Sequence, residues 1–172
     1  MTASTVAACV VALKSFAWPH LEHWKGLSPD CSVAAVSEAW GYVDDGWRGS
    51  GWVGEEDEPR DLAWFSADAG FPDSVRVWVD GQRVVMLETE VLGDASHLKA
   101  LVAKLGRPAA KLDAYFQVKM EKSEWVYPDR GLTLFVNPRN HVLISAVGYA
   151  PTTLENYRRN LRPITEPRTH TR

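Results

Sequence analysis

Two stretches of the chain, 27–41 (LSPDCSVAAVSEAWG) and 92–106 (LGDASHLKALVAKLG), follow one plan: a leucine, a Ser/Asp-bearing cap, an apolar stripe at helical spacing and a terminal glycine. In the first, Pro29 with Ser28 or Asp30 opens a helix whose stripe is Val33, Val36, Ala39 and Trp40, closed by Gly41. In the second, Asp94 or Ser96 opens a helix with Leu98, Leu101, Val102 and Leu105 inward, closed by Gly106. Ser and Asp suit the start because their side-chain oxygens accept from N–H groups that a first helical turn leaves unpaired. After each helix comes an aromatic-rich stretch and then a pair of apolar runs split by a turn, 75–79 with 84–87 and 132–136 with 142–147. Asp80-Gly81 is a hairpin signal, because glycine takes the left-handed backbone that tight turns between strands require. The pattern predicts an α+β fold: a tandem repeat of a helix followed by antiparallel sheet, with units at 27–91 and 92–150.

The flanks are read as helical. Residues 5–18 place Val6, Cys9, Val10, Leu13 and Ala17 on one face, and Pro19 stops or kinks that helix, so 1–26 forms an N-terminal helical segment. At the other end Thr152 and Glu155 fit a capping box opening a basic helix through Leu161, ended by Pro163. Residues 151–172 are this helix and a disordered tail from Ile164. Between Asp44 and Asp61 the chain (DDGWRGSGWVGEEDEPRD) is glycine-rich and acidic, which predicts a loop or loose hairpin, and 62–65 a short strand. Further strands are expected at 115–119 and 124–127.

Composition changes this picture little. Of 172 residues 45% are apolar and 24% charged, ordinary values for a folded soluble domain. Charge is more informative when divided. Residues 1–90 hold 15 Asp/Glu against 6 Lys/Arg, a balance of −9, whereas 91–172 hold 7 against 13, a balance of +6. The molecule is therefore electrostatically two-sided, its acidic part suited to a basic partner. A sequence pI near 5.9, with no aromatic ladder beside Arg158, Arg159, Arg162, Arg168 and Arg172, argues against nucleic acid. Cys9 and Cys31 imply no disulfide framework and are expected as buried free thiols. No apolar stretch approaches the 18 or so residues of a transmembrane helix. Val6-Ala7-Ala8-Cys9 looks like a lipoprotein cleavage box but lacks the charged and apolar segments that precede one. A cytoplasmic location without membrane partner is the expectation.

Candidate chemistry is sparse. His20, Glu22, His23 and Cys31 are metal-ligand types without a metal-ligand spacing, so no metal is expected. No phosphate loop, nucleophile elbow or dinucleotide fingerprint is present, and no cofactor or catalytic residue is assigned. The carboxylates Asp44, Asp45, Glu55, Glu56, Asp57 and Glu58 share one solvated environment, whereas acid/base catalysis needs contrasting ones. Trp47 and Trp52 lie in the same acidic segment, where burial is hard to arrange, while Trp40, Trp64, Trp78 and Trp125 fall at core positions. Exposed tryptophan is an anchor of protein interfaces.

The repeated helices at 27–41 and 92–106 with the two hairpins resemble the β-lactamase inhibitory protein and the related outer-membrane assembly lipoprotein fold. The resemblance implies a scaffold that offers a concave sheet or its loops to another protein. That inhibitor's paired cysteines within each unit and its secretion signal have no counterpart here, so its target and contact residues do not carry over. The expected function is a non-catalytic protein-binding module, an inhibitor or immunity-type protein of a bacterium. Trp47 and Trp52 would anchor a basic partner, and Asp44, Asp45, Glu55, Glu56, Asp57 and Glu58 would steer it. Two alternatives stand beside it: a small-molecule-binding domain or enzyme with a cleft between the repeats, offering His20, His23, Arg130 and His141, and a subunit of a larger assembly. The sequence leaves the oligomeric state open.

Overall fold

The computed structural model describes residues 3–14, 26–40, 48–68, 75–114 and 122–164. In chain order these form α1 (Ala3–Lys14), α2 (Val33–Trp40), β1 (Arg48–Glu55), β2 (Glu58–Ala67), β3 (Val75–Asp80), β4 (Arg83–Gly93) and α3 (Ala95–Leu105). There follow β5 (Ala110–Asp113), β6 (Ser123–Tyr127), a short 3₁₀ turn (Pro128–Arg130), β7 (Leu132–Val136), β8 (Leu143–Tyr149), α4 (Leu154–Asn160) and β9 (Pro163–Ile164).

The strands make one antiparallel sheet in the order β5-β6-β7-β8-β4-β3-β2-β1-β9. This overturns the expected tandem repeat. The two anticipated units do not each close on a sheet of their own, because β4 pairs directly with β8 from Met86↔Tyr149 to Gly93↔Leu143. Among the described residues the result is a single nine-stranded half-barrel with four helices, dominated by sheet. Joining β4 to β8 removes two strand edges that separate units would leave open.

Alternation along the strands divides the core between two faces. On the outer face Val75, Val77, Val84, Leu87, Leu134 and Leu143 pack under α1, α2 and α3. On the inner face Val53, Leu62, Trp78, Met86, Val126, Phe135, Val147 and Tyr149 meet Tyr157 and Leu161 of the α4 segment. Val53 lies near one end of the strand order and Val126 near the other, so sharing one cluster requires the sheet to curl around it. Strand β7, LTLFV, is buried at all five positions because both of its faces are covered.

Local signals decide the helix starts. Asp94 caps α3, its Oδ1 accepting from the His97 N–H at 2.9 Å, and Gly106 follows the last turn with φ 82°. The start of α2 falls later than expected: Ser32 Oγ accepts from the Ala35 N–H at 3.3 Å, while Ser28 and Asp30 are used in the preceding turn. The cap of α4 is Thr153, accepting from the Asn156 N–H at 3.1 Å, where Thr152 was expected. Pro163 and Ile164 pair with β1 as β9, where a tail was expected to begin.

Cys9 and Cys31 are joined in a disulfide, a correction to the expectation of free thiols. Both are fully buried, and the bond ties α1 to the start of α2 across 22 positions. Cysteine counting missed it because pairing depends on where α1 packs, which spacing does not reveal. No helix among the described residues is long and apolar enough to cross a membrane.

Candidate functional site

The acidic segment is a regular hairpin, and this corrects the loop reading. Strands β1 and β2 pair without interruption from Arg48↔Phe65 to Glu55↔Glu58, with Glu56 and Asp57 in the turn. Glycines at 49, 51 and 54 argued against a strand, but two of them seat tryptophans. A Cβ on Gly49 would stand 2.5 Å from Trp64 Cζ2, and one on Gly51 would stand 2.5 Å from Trp78 Cη2. The indoles lie where side chains of β1 would be, so glycine here records close approach of an aromatic ring. The base of the tip is tied to the rest of the molecule, since the Gly54 N–H donates to the Arg162 carbonyl at 2.8 Å.

Four of the anticipated steering carboxylates come together at this tip. Glu55, Asp57 and Glu58 are exposed and Glu56 is half-buried. Glu55 and Glu58 are direct cross-strand partners, an arrangement of like charges that costs stability. Trp52 is half-buried on β1, opposite Asp61 of β2 and Ile164 of β9, and so belongs to the sheet. Trp47, Asp44 and Asp45 lie outside the described residues, as do His20, Glu22 and His23. Cys31 is spent in the disulfide and offers no thiolate. Arg130 and His141 are exposed, and His141 packs edge-on to Trp125 at 6.4 Å between ring centroids.

Sequence reasoning missed a polar network inside the half-barrel. Glu124 of β6 is fully buried. Its carboxylate accepts from Arg162 Nε at 3.0 and 3.1 Å and from the Tyr157 hydroxyl at 3.2 Å. Arg162 Nη2 also donates to the Asp113 carbonyl of β5. The same residue thus bonds β1 through its carbonyl and β5 and β6 through its side chain, joining strands from opposite ends of the sheet. Tyr157 stacks on Tyr149 at 5.2 Å, and Tyr149 donates to the Leu132 carbonyl at 3.1 Å with Thr133 Oγ1 at 2.9 Å.

Burial pushes the Glu124 carboxyl up to about 6, against the opposing pull of Arg162 and Tyr157. It also raises the Tyr149 and Tyr157 phenols well above their usual range. With its carboxylate bonded on both oxygens and sealed from solvent, the cluster serves as a fastener. One consequence is measurable. The folded value lies above the ordinary 4.5, so the folded chain holds this proton more tightly than the unfolded chain. The Glu124 contribution to stability is present in full below pH 4.5 and is lost as the pH rises through 6. The difference between wild type and Glu124→Gln in urea-unfolding free energy is expected to shift against wild type by about 2 kcal/mol from about pH 3.5 to about pH 7. A difference that stays flat over that range would contradict this assignment.

Among the described residues no group of three or more His, Cys, Asp and Glu side chains is placed to hold a metal ion. Compared with known protein families, with characterised proteins and with solved structures, the chain matches none.

Proposed function

We propose that the protein is a non-catalytic binding module that presents the tip of the β1–β2 hairpin to a basic partner protein. The observation that carries the reading is the direct opposition of Glu55 and Glu58 around Glu56 and Asp57. Glu55, Asp57 and Glu58, like charges exposed on one turn, lower local stability, and a cationic surface would relieve their repulsion. The hairpin is also ordered before binding, which reduces the entropy lost on association. Trp52 flanks the tip as a half-buried anchor, and its truncation is expected to cost some stability because it belongs to the sheet. The reading rests on the hairpin and no longer on the resemblance to the β-lactamase inhibitory protein. The Cys9–Cys31 disulfide favours an oxidising compartment over the cytoplasm.

The test uses the opposed signs of stability and binding. Glu58→Lys puts an opposite charge across from Glu55 and is expected to stabilise the fold by about 0.5–1 kcal/mol. The same change weakens retention of the basic partner captured by the wild-type protein from native extract, and raised salt weakens it further. Capture that is indifferent both to Glu58→Lys and to salt would sink the proposal.

A further inference from the structure

The inner face carries a second polar arrangement that neither the hairpin nor the Glu124 fastener uses. Ser66, Arg76, Glu88 and Val147 are successive cross-strand partners on β2, β3, β4 and β8. Arg76 is held by two of its neighbours. Its guanidinium carbon stands 4.5 Å from the centroid of the Trp64 ring, and its Nη1 donates to Glu88 Oε2 at 2.9 Å. The same carboxylate oxygen accepts from Trp78 Nε1 at 3.0 Å, which fixes Glu88 in turn. Both indoles are seated on the β1 glycines, so the pair rests on a rigid floor.

What this arrangement leaves open points to a ligand. Among the described residues nothing bonds the second Glu88 oxygen, Oε1, or the Nε–Nη2 edge of Arg76. None of these three atoms is among the sealed polar atoms that lack a partner, and the two side chains keep 20% and 41% of their surface exposed. A solvent-facing acceptor and a solvent-facing pair of parallel donors therefore belong to one ion pair, joined through Nη1 and Oε2. The donor edge matches a carboxylate in two-point fashion, and the acceptor matches an ammonium group. A simple anion would meet the Glu88 charge and a simple cation that of Arg76, whereas a molecule carrying both groups on neighbouring atoms meets neither penalty.

We propose that the Arg76–Glu88 pair, seated on Trp64, binds the head group of a free α-amino acid, its carboxylate on the Arg76 Nε–Nη2 edge and its ammonium on Glu88 Oε1. The pre-ordered guanidinium loses little freedom on binding. The site is separate from the acidic tip and stands whether or not the hairpin binds a protein.

The test follows the Arg76 Nε–Hε resonance of the full-length, nitrogen-15-labelled protein, assigned by its loss in Arg76→Lys. The common L-amino acids are titrated one at a time, then acetate and methylammonium chloride at matched ionic strength. At least one amino acid is expected to shift the resonance saturably where acetate and methylammonium leave it in place. Glu88→Gln, which keeps an oxygen for Arg76 and Trp78, should weaken that binding about tenfold with the fold intact. If Glu88→Gln does not fold, calorimetric titration of Arg76→Lys with the same amino acid replaces it and should show the same loss. The proposal is overturned if no amino acid gives a saturable shift, if acetate reproduces the shift, or if the variant binds as wild type does.

Discussion

Replacing Arg162 by leucine is expected to lower the midpoint of thermal unfolding by about 10 °C, the equivalent of about 3–5 kcal/mol in a chain of this size. Two losses combine. Glu124, fully buried, keeps its bond from the Tyr157 hydroxyl while its charge loses its hydrogen-bonded counterion. The Asp113 carbonyl of β5 loses its donor, so the tie between opposite ends of the curled sheet is cut. An uncompensated buried carboxylate is far more costly than the net worth of the intact pair, because the desolvation that Arg162 offset now stands alone. The double variant Glu124→Leu/Arg162→Leu removes the orphaned charge as well and should lie closer to wild type than Arg162→Leu does. Thermal melts of the three proteins at pH 7 provide the check. A loss under about 2 °C for Arg162→Leu would show that the contact adds nothing beyond what an exposed pair contributes.

Arg162 also shows where sequence reading reaches its limit. Its partner Glu124 lies 38 positions away, and neither residue stands in a motif; each reads as an ordinary surface charge. The features that were legible are local. Asp94 and Gly106 bracket α3 because a cap and a stop act within one helical turn. The Asp80-Gly81 turn and the apolar runs of β3, β7 and β8 were legible because alternation and turn chemistry are properties of a few neighbouring residues. The tandem repeat failed at the next level, since no local property reports that β4 and β8 pair. The hairpin at 48–67 failed for a different reason. Glycine in a strand normally signals weakness, and only in the folded sheet do Trp64 and Trp78 fill the space above Gly49 and Gly51. The acidic run itself was visible; its regular pairing as a hairpin and the opposition of Glu55 to Glu58 were not. Nor were Arg76 and Glu88, whose adjacency exists only through the register of β3 on β4.

The disulfide leads to the second large effect. Replacing both Cys9 and Cys31 by alanine is expected to destabilise the protein by about 3 kcal/mol, the entropy released to an unfolded chain when a loop of this length is no longer closed. That corresponds to a fall of about 6–12 °C in the thermal midpoint. Beyond this global loss, the α1–α2 side, where both half-cystines are buried, should open more readily, while the inner-face cluster of Glu124, Tyr157 and Arg162 keeps its arrangement in the folded state. Hydrogen exchange distinguishes the two sides: amides of α1 should exchange faster in the variant, while those of β6 and β7 keep their relative protection. Adding a reductant to the wild-type protein under mild denaturation should reproduce the same shift, because the buried bond becomes accessible only as the helices part. If the double variant and the wild type melt together, the bond contributes no net stability, and the argument for an oxidising compartment loses its physical basis. If they differ as expected, a fold that relies on this bond would be about 3 kcal/mol weaker in a reducing cytoplasm, a large fraction of the 5–15 kcal/mol that separates typical domains from unfolding.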